Sequence, residues 1–447
     1  MRAMVEVTLF AVLIGCGGTT LHSSRERGVS PEEAYGDIRT PGLYAMRFSD
    51  TAGSVIALTL WLPPSESGAS VDLPDLPGRG DRRQRVRSVR CGMREVERAL
   101  DGWTLPPGCD VLHWDVEVAP LDSAGADPSR QLAIRDPDLG WWLLPGAALF
   151  LIPQGLRERP VLDLRTPEDI PAFHTLPESP GLGLSLPPVS QLGRVMIGLG
   201  AFRVETLGEG RGRVRHLFDR PDAPEVSSFA AVQGLATAYM ARVTGSAPPS
   251  QLDVFWLARD PSARTIAGAS GAGTIALNYF SAELPADTPP RVRRAPIMML
   301  LHEQFLVLAG SQLPAWMAES LAQTYALKAL RLAQVIDDAE HDALVAEAAP
   351  DGVLSVRLLE AQRRYHEQGD WSAYEVFVGA GVAFWNEIDR LIAEDSHGER
   401  SLDDVLPALL GLIFHPDGRP PERFLALLQE AGLDAAPDVT RRWLGWP

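Results

Sequence analysis

Between residues 42 and 203 the apolar positions come in short runs broken by glycine and proline, and after residue 295 they recur at helical spacing. Residues 55–62 and 111–118 predict strands, and residues 141–152 a strand pair or a buried turn. Helical periodicity is scarce in this part, so it predicts a β-rich, sandwich-like domain. Trp61, Trp103, Trp114, Trp141 and Trp142 fit core and strand-pair packing better than a sugar-stacking surface. The interior stretch 74–87 mixes glycine, proline, arginine and aspartate and predicts an exposed loop.

The texture changes after Arg220. Residues 226–243 have apolar positions at helical spacing, and residues 252–257 predict a short buried strand. The small residues from Gly268 to Gly273 match neither a phosphate-binding loop nor a nucleophile elbow, and they predict a flexible turn leading into a strand at 274–280. Helices are predicted at 295–308, 315–335, 353–366 and 373–393. Ser401 can cap a helix reaching Leu412, with Asp403 and Asp404 in its first turn, and Pro421 suits the first turn of another reaching Leu428. The expected fold class is α+β. A β-rich domain spans 42–203, a mixed and helical domain 204–410, and a carboxyl-terminal helical extension 411–447.

The amino terminus pairs Arg2 with an apolar run at 7–14. A bilayer core needs roughly 20 apolar residues, so this run suits the apolar region of a signal peptide rather than a membrane span. Gly15-Cys16 resembles a bacterial lipobox, which implies a signal peptide at 1–15, lipidation at Cys16 and a polar tether to residue 41. Gly17 in place of aspartate implies sorting to the outer membrane. The expectation is an envelope lipoprotein held on the membrane by its lipid; the alternative is a buried amino-terminal strand. Cys91 and Cys109 are the other cysteines, and they form either one disulfide in an oxidising compartment or two buried thiols. A net charge of −17 disfavours nucleic acid and anionic surfaces. The basic stretches at 79–94 and 211–220 lack interleaved aromatics, and they read as solvated loops or hairpins.

The chemistry concentrates in His302-Glu303-Gln304-Phe305-Leu306 and in Trp316-Met317-Ala318-Glu319-Ser320. A zinc-peptidase helix holds its metal with two histidines four residues apart on one face, and the glutamate after the first activates water. His302 and Glu303 stand in two of those positions, and Leu306 stands where the second histidine belongs. The chain resembles the gluzincin metallopeptidases, particularly the glycyl-aminopeptidase and aminopeptidase N-like groups, over about 201–410, or across the preceding β-rich domain as well. The resemblance implies a thermolysin-like domain in which Glu319, within a Trp-x-x-Glu-Gly-like pattern ending in Ser320, is the third zinc ligand. It also implies that Gly273, Thr274, Ile275, Ala276, Leu277 and Asn278 lie on the edge strand along which a peptide is laid. Tyr374 is the candidate oxyanion stabiliser, and an aromatic core contact is its other reading.

With Leu306 in place of imidazole, a three-ligand zinc site is incomplete unless a remote residue such as His366 or His397 swings in. Glu303 then reads as a helix-surface residue or a partner of Arg291, Arg293 or Arg294 ahead of a catalytic base, and His302 as a satisfied core histidine or a surviving polar site. The leading expectation is a degenerate, non-catalytic metallopeptidase-like module, with no cofactor, binding a peptide or an envelope protein. The alternatives are an active zinc aminopeptidase or protease with Glu303 and Tyr374 catalytic, and a purely structural lipoprotein.

Overall fold

The computed structural model describes residues 41–446 other than 49–52, 64–68, 75–78, 100–101, 122–126, 155, 157–158, 168–169, 181–182, 209–211, 224–226, 264–265, 311, 349–356 and 369. The signal peptide, Cys16 and the tether expected from the sequence lie outside the described residues. Among the described residues, no helix is long and apolar enough to cross a membrane.

Among the described residues, the first part is built from three sheets. The largest has eight strands, and Leu43–Phe48, Val55–Trp61, Val111–Glu117 and Val86–Cys91 form its antiparallel centre. Alternation orients it, since Leu112, Trp114 and Val116 are buried while their neighbours are half-exposed. Leu43–Phe48 also pairs in parallel with Val161–Arg165. The buried aromatics bring their polar ends to backbone acceptors: Tyr44 donates to Leu151 O at 2.9 Å and Trp114 to Leu149 O at 2.9 Å. Residues 141–152 resolve into the strand Trp141–Pro145, one helical turn at Gly146–Leu149, and the short strand Ile152–Pro153.

Both basic stretches contain hairpin strands with exposed arginines, as expected, but single arginines in each are drawn out of solvent. Arg79–Arg83 is a short helix followed by the strand Val86–Cys91, so much of 74–87 is regular structure rather than an exposed loop. Arg82 is only 1% exposed, and Arg83 pairs with Asp72. In the second stretch, Arg215 makes a two-pronged contact of 2.8 and 2.6 Å with the fully buried Asp253. Arg213 on the same strand face reaches Gln251, so the cross-strand neighbours supply the partners. Cys91 and Cys109 form a disulfide with Cα atoms 5.7 Å apart and a sequence separation of 18. Closing a loop of that size contributes about 3 kcal/mol by restricting the unfolded chain.

The second part opens with a five-stranded sheet in the order Arg203–Leu207, Arg213–Phe218, Gln251–Arg259, Thr274–Phe280, Gly268–Gly271. Every residue of Thr274–Phe280 is buried, because it pairs in parallel with Gln251–Arg259 on one side and antiparallel with Gly268–Gly271 on the other. The predicted flexible turn is therefore mostly strand. Only Ala272 and Gly273, at φ 51 and 78, make the left-handed turn of the hairpin.

Helices Ser227–Thr244, Pro290–Ala309, Ala315–Leu332, Asp338–Ala348, Leu358–Gln368 and Trp371–Asp395 pack with this sheet into one core. The core continues past residue 410. Phe424, Leu428, Leu433 and Ala436 from Glu422–Glu430 and Ala436–Leu444 are fully buried in it or in the intervening turn, so the carboxyl-terminal helices complete the second part rather than extend from it. The helix Asp338–Ala348 has no strong apolar stripe to announce it, and it was missed in the sequence.

Candidate functional site

Two helices meet under the edge of the five-stranded sheet. Pro290–Ala309 is buried at Leu300, Leu301, His302, Glu303, Gln304 and Phe305, since it runs between the sheet and the neighbouring helix. Ala315–Leu332 is anchored by Trp316, which is fully buried, donates its indole N–H to Gly418 O at 3.0 Å and stacks on Trp385 at 6.0 Å. These anchors fix the side chains that project between the helices.

Three expected site residues come together. His302 Nε2 lies 3.1 Å from Glu319 Oε2, and the Tyr374 hydroxyl donates to that same oxygen at 2.8 Å. His302 Nδ1 lies 3.3 Å from Gln323 Oε1, one helical turn beyond Glu319. Gln323 was missed in the sequence although its spacing from Glu319 puts both on one helix face. Tyr374 also packs at 5.6 Å from Tyr365, so its ring serves the aromatic contact while its hydroxyl serves the site.

Electrostatics follow from burial and pairing. Burial opposes charge on His302, yet its hydrogen bond and charge contact with Glu319, helped by Glu303, lift the imidazole above its ordinary range. Burial would raise Glu319, but His302, Tyr374 and Arg194 together hold it below the usual carboxylate range. Glu303 is different. Burial pushes it up to about 7, against the lowering effects of His302, a hydrogen bond from Ser270 and Arg194. The arginines expected as its partners are engaged elsewhere, Arg291 with Glu347, Arg293 with Ala286 O and Arg294 with Glu340. A Cβ added to Gly268 would lie 2.7 Å from Glu303 Oε1, so the edge strand sits directly on this carboxylate and needs glycine there.

Gly273–Asn278 do not lie on the sheet edge expected for them. Those residues pair on both sides or turn the hairpin, so their strand is not an edge, and the edge is Gly268–Gly271. The register sets which groups remain available. The Asn278 amide donates to Ala267 O at 3.1 Å, which makes that opposed pair, and then Ala269 with Ala276, the hydrogen-bonded pairs of the ladder. Gly268 and Ser270 therefore turn amide and carbonyl toward the open edge. That edge borders a cavity of about 1450 Å³ whose walls include His302, Glu303, Leu306, Glu319 and Tyr374.

The residues do not fit a catalytic zinc ion. Two ligands of one tetrahedral zinc, each at about 2.1 Å, stand roughly 3.4 Å apart, so the His302–Glu319 separation of 3.1 Å alone would allow a metal. Ligand number decides instead. Leu306 is half-buried against the core and offers no donor, and among the described residues no three His, Cys, Asp or Glu side chains converge on a metal position. His366 borders the same cavity without completing a set, and His397 does not border it.

No family model matches the chain, and a search of curated proteins finds no relative. Solved structures are similar in shape. An aminopeptidase N family protein from Idiomarina loihiensis matches over 90% of this chain and 75% of its own, with 12% identity and a TM-score of 0.65. The M1 zinc metallopeptidase of Deinococcus radiodurans matches over 90% of this chain and 93% of its own, with 16% identity and a TM-score of 0.52. A glutamate-to-alanine variant of that enzyme, bound to a Tyr-Ser-Ala substrate, matches at 17% identity and a TM-score of 0.53. At these identities the likeness establishes the fold alone: the described residues have the architecture of the aminopeptidase N-like M1 zinc metallopeptidases.

Proposed function

We propose that the protein is a non-catalytic, metallopeptidase-like module of the bacterial envelope that holds an extended peptide against Gly268–Gly271. The observation that carries this reading is the pairing of an open strand edge with a broken ligand set. Gly268 and Ser270 offer backbone groups beside the cavity, while Leu306 stands where an imidazole would complete the metal site. Strand addition needs only backbone donors and acceptors, so it survives loss of the metal. Envelope attachment rests on the lipobox-like Gly15-Cys16.

The test is peptide binding by calorimetry with the wild-type chain and with Ser270→Pro, which removes the outward amide at a position where an edge strand tolerates proline. Binding that weakens at least about tenfold in Ser270→Pro, without hydrolysis, supports the reading. Hydrolysis that disappears in Glu303→Gln would overturn it in favour of an enzyme. Attachment is tested by incorporation of labelled palmitate, which Cys16→Ser should abolish.

A further inference from the structure

Three arginines border the cavity, Arg194, Arg363 and Arg419. Two of them are satisfied locally. Arg363 reaches Glu360 at 2.7 Å and Glu367 at 2.8 Å, and Arg419 reaches Asp417 at 2.6 Å. The Arg194 guanidinium makes no hydrogen bond or ion pair among the described residues.

Its placement is fixed by the backbone. Arg194 ends the 3-10 helix Val189–Arg194, and it packs so closely on the edge strand that a Cβ on Gly271 would lie 2.3 Å from Arg194 Cβ. The side chain is half-buried and within electrostatic reach of Glu319 and Glu303. Both glutamates have other partners. Glu319 Oε2 takes His302 and Tyr374, and Glu303 takes the Ser270 hydroxyl. A guanidinium drawn out of water without a bidentate acceptor carries a desolvation cost that a bound anion would offset.

We infer that Arg194 receives a carboxylate of the bound peptide at the Gly271 end of the edge strand, with Gly268 and Ser270 taking its main chain. The inference rests on the peptide-binding reading above and adds the chemistry of the ligand. The carboxylate comes either from the carboxyl terminus of the peptide or from an acidic side chain. Either source presents the planar, two-oxygen acceptor that matches a guanidinium fork.

Fluorescence anisotropy with the full chain tests this with three labelled heptapeptide pools randomised over uncharged residues. One ends in a free carboxylate, one in a carboxamide, and one in a carboxamide with a single internal aspartate. The expected result is that at least one carboxylate-bearing pool binds about tenfold tighter than the neutral pool. Arg194→Gln should reduce it to the neutral pool's affinity, and Arg194→Lys should retain part of the preference. Preference for the first or third pool identifies the source. Equal binding of all three pools, or a preference that survives Arg194→Gln in a chain of unchanged thermal stability, overturns the inference and leaves peptide binding standing. Failure of every pool to bind the wild-type chain overturns both.

Discussion

Tyr374 donates its hydroxyl to Glu319 Oε2 at 2.8 Å, and that oxygen is also the one 3.1 Å from His302 Nε2. One carboxylate oxygen thus gathers two groups from two other helices. In a working zinc site that oxygen would face a metal held by three protein ligands. Here it closes a hydrogen-bonded cluster in which an imidazole and a phenol supply the positive ends.

Removing the phenol tests how much the cluster contributes. Tyr374→Phe keeps the ring against Tyr365 and deletes one hydrogen bond to a charged acceptor, so urea unfolding should show a loss of about 1–2 kcal/mol. Unchanged stability would show that the contact is not formed in solution.

Leu306→His restores the residue type missing from the helix face of His302. Without metal the variant should be less stable by about 2–3 kcal/mol, since a packed apolar side chain gives way to a polar one. With zinc it should recover thermal stability and bind one ion, whereas the wild-type chain should show neither. A folded variant with no gain in zinc affinity would show that position 306 does not face His302 and Glu319.

Two buried groups, His216 in the strand Arg213–Phe218 and Asp219 just past its end, make opposite contributions to pH dependence. Asp219 accepts from the Ala258 amide at 2.7 Å and from Tyr279 at 3.0 Å, yet burial pushes it up to about 6. The folded chain then holds a proton that the unfolded chain has lost, so its contribution falls as pH rises from about 4 to 6. Burial lowers His216 to about 4, and Trp256 donates to its Nδ1 at 2.8 Å, which requires that nitrogen unprotonated. Its contribution therefore rises with pH between about 4 and 6.5. Each effect is on the order of 3 kcal/mol. Relative to wild type, Asp219→Asn should gain stability as pH is raised through this window and His216→Gln should lose it. Parallel stability curves for wild type and both variants would contradict the assignment.

A fourth prediction concerns the helix contact behind the site. Ser320 occupies the place after Glu319, its hydroxyl accepts from Trp385 Nε1 at 2.8 Å, and a Cβ on Gly381 would lie 2.3 Å from Ser320 Cβ. Gly381→Ala should cost more than about 2 kcal/mol because two packed helices must separate. Adding Ser320→Gly should recover part of that loss by removing the opposing Cβ, while leaving the Trp385 indole without its acceptor. A single variant as stable as wild type in thermal unfolding would show that the helices are not in this contact.

The chain announced its helices and strands wherever local spacing carries the information. The segments predicted at 315–335 and 373–393 are Ala315–Leu332 and Trp371–Asp395, and the strand predicted at 274–280 is Thr274–Phe280, because period and breakers act over neighbouring residues. His302, Glu303, the substitution at Leu306, and Glu319 were legible for the same reason: a helix converts spacing into a shared face. What only tertiary structure decided was which groups meet across elements. Nothing in the sequence placed Gly268–Gly271 rather than Thr274–Phe280 at the edge, joined Tyr374 to Glu319, buried Arg82, or set Arg194 beside the cavity with no hydrogen bond among the described residues. Strand order and helix docking follow from the fit of distant surfaces, and that fit has no signature within one turn or one strand of sequence.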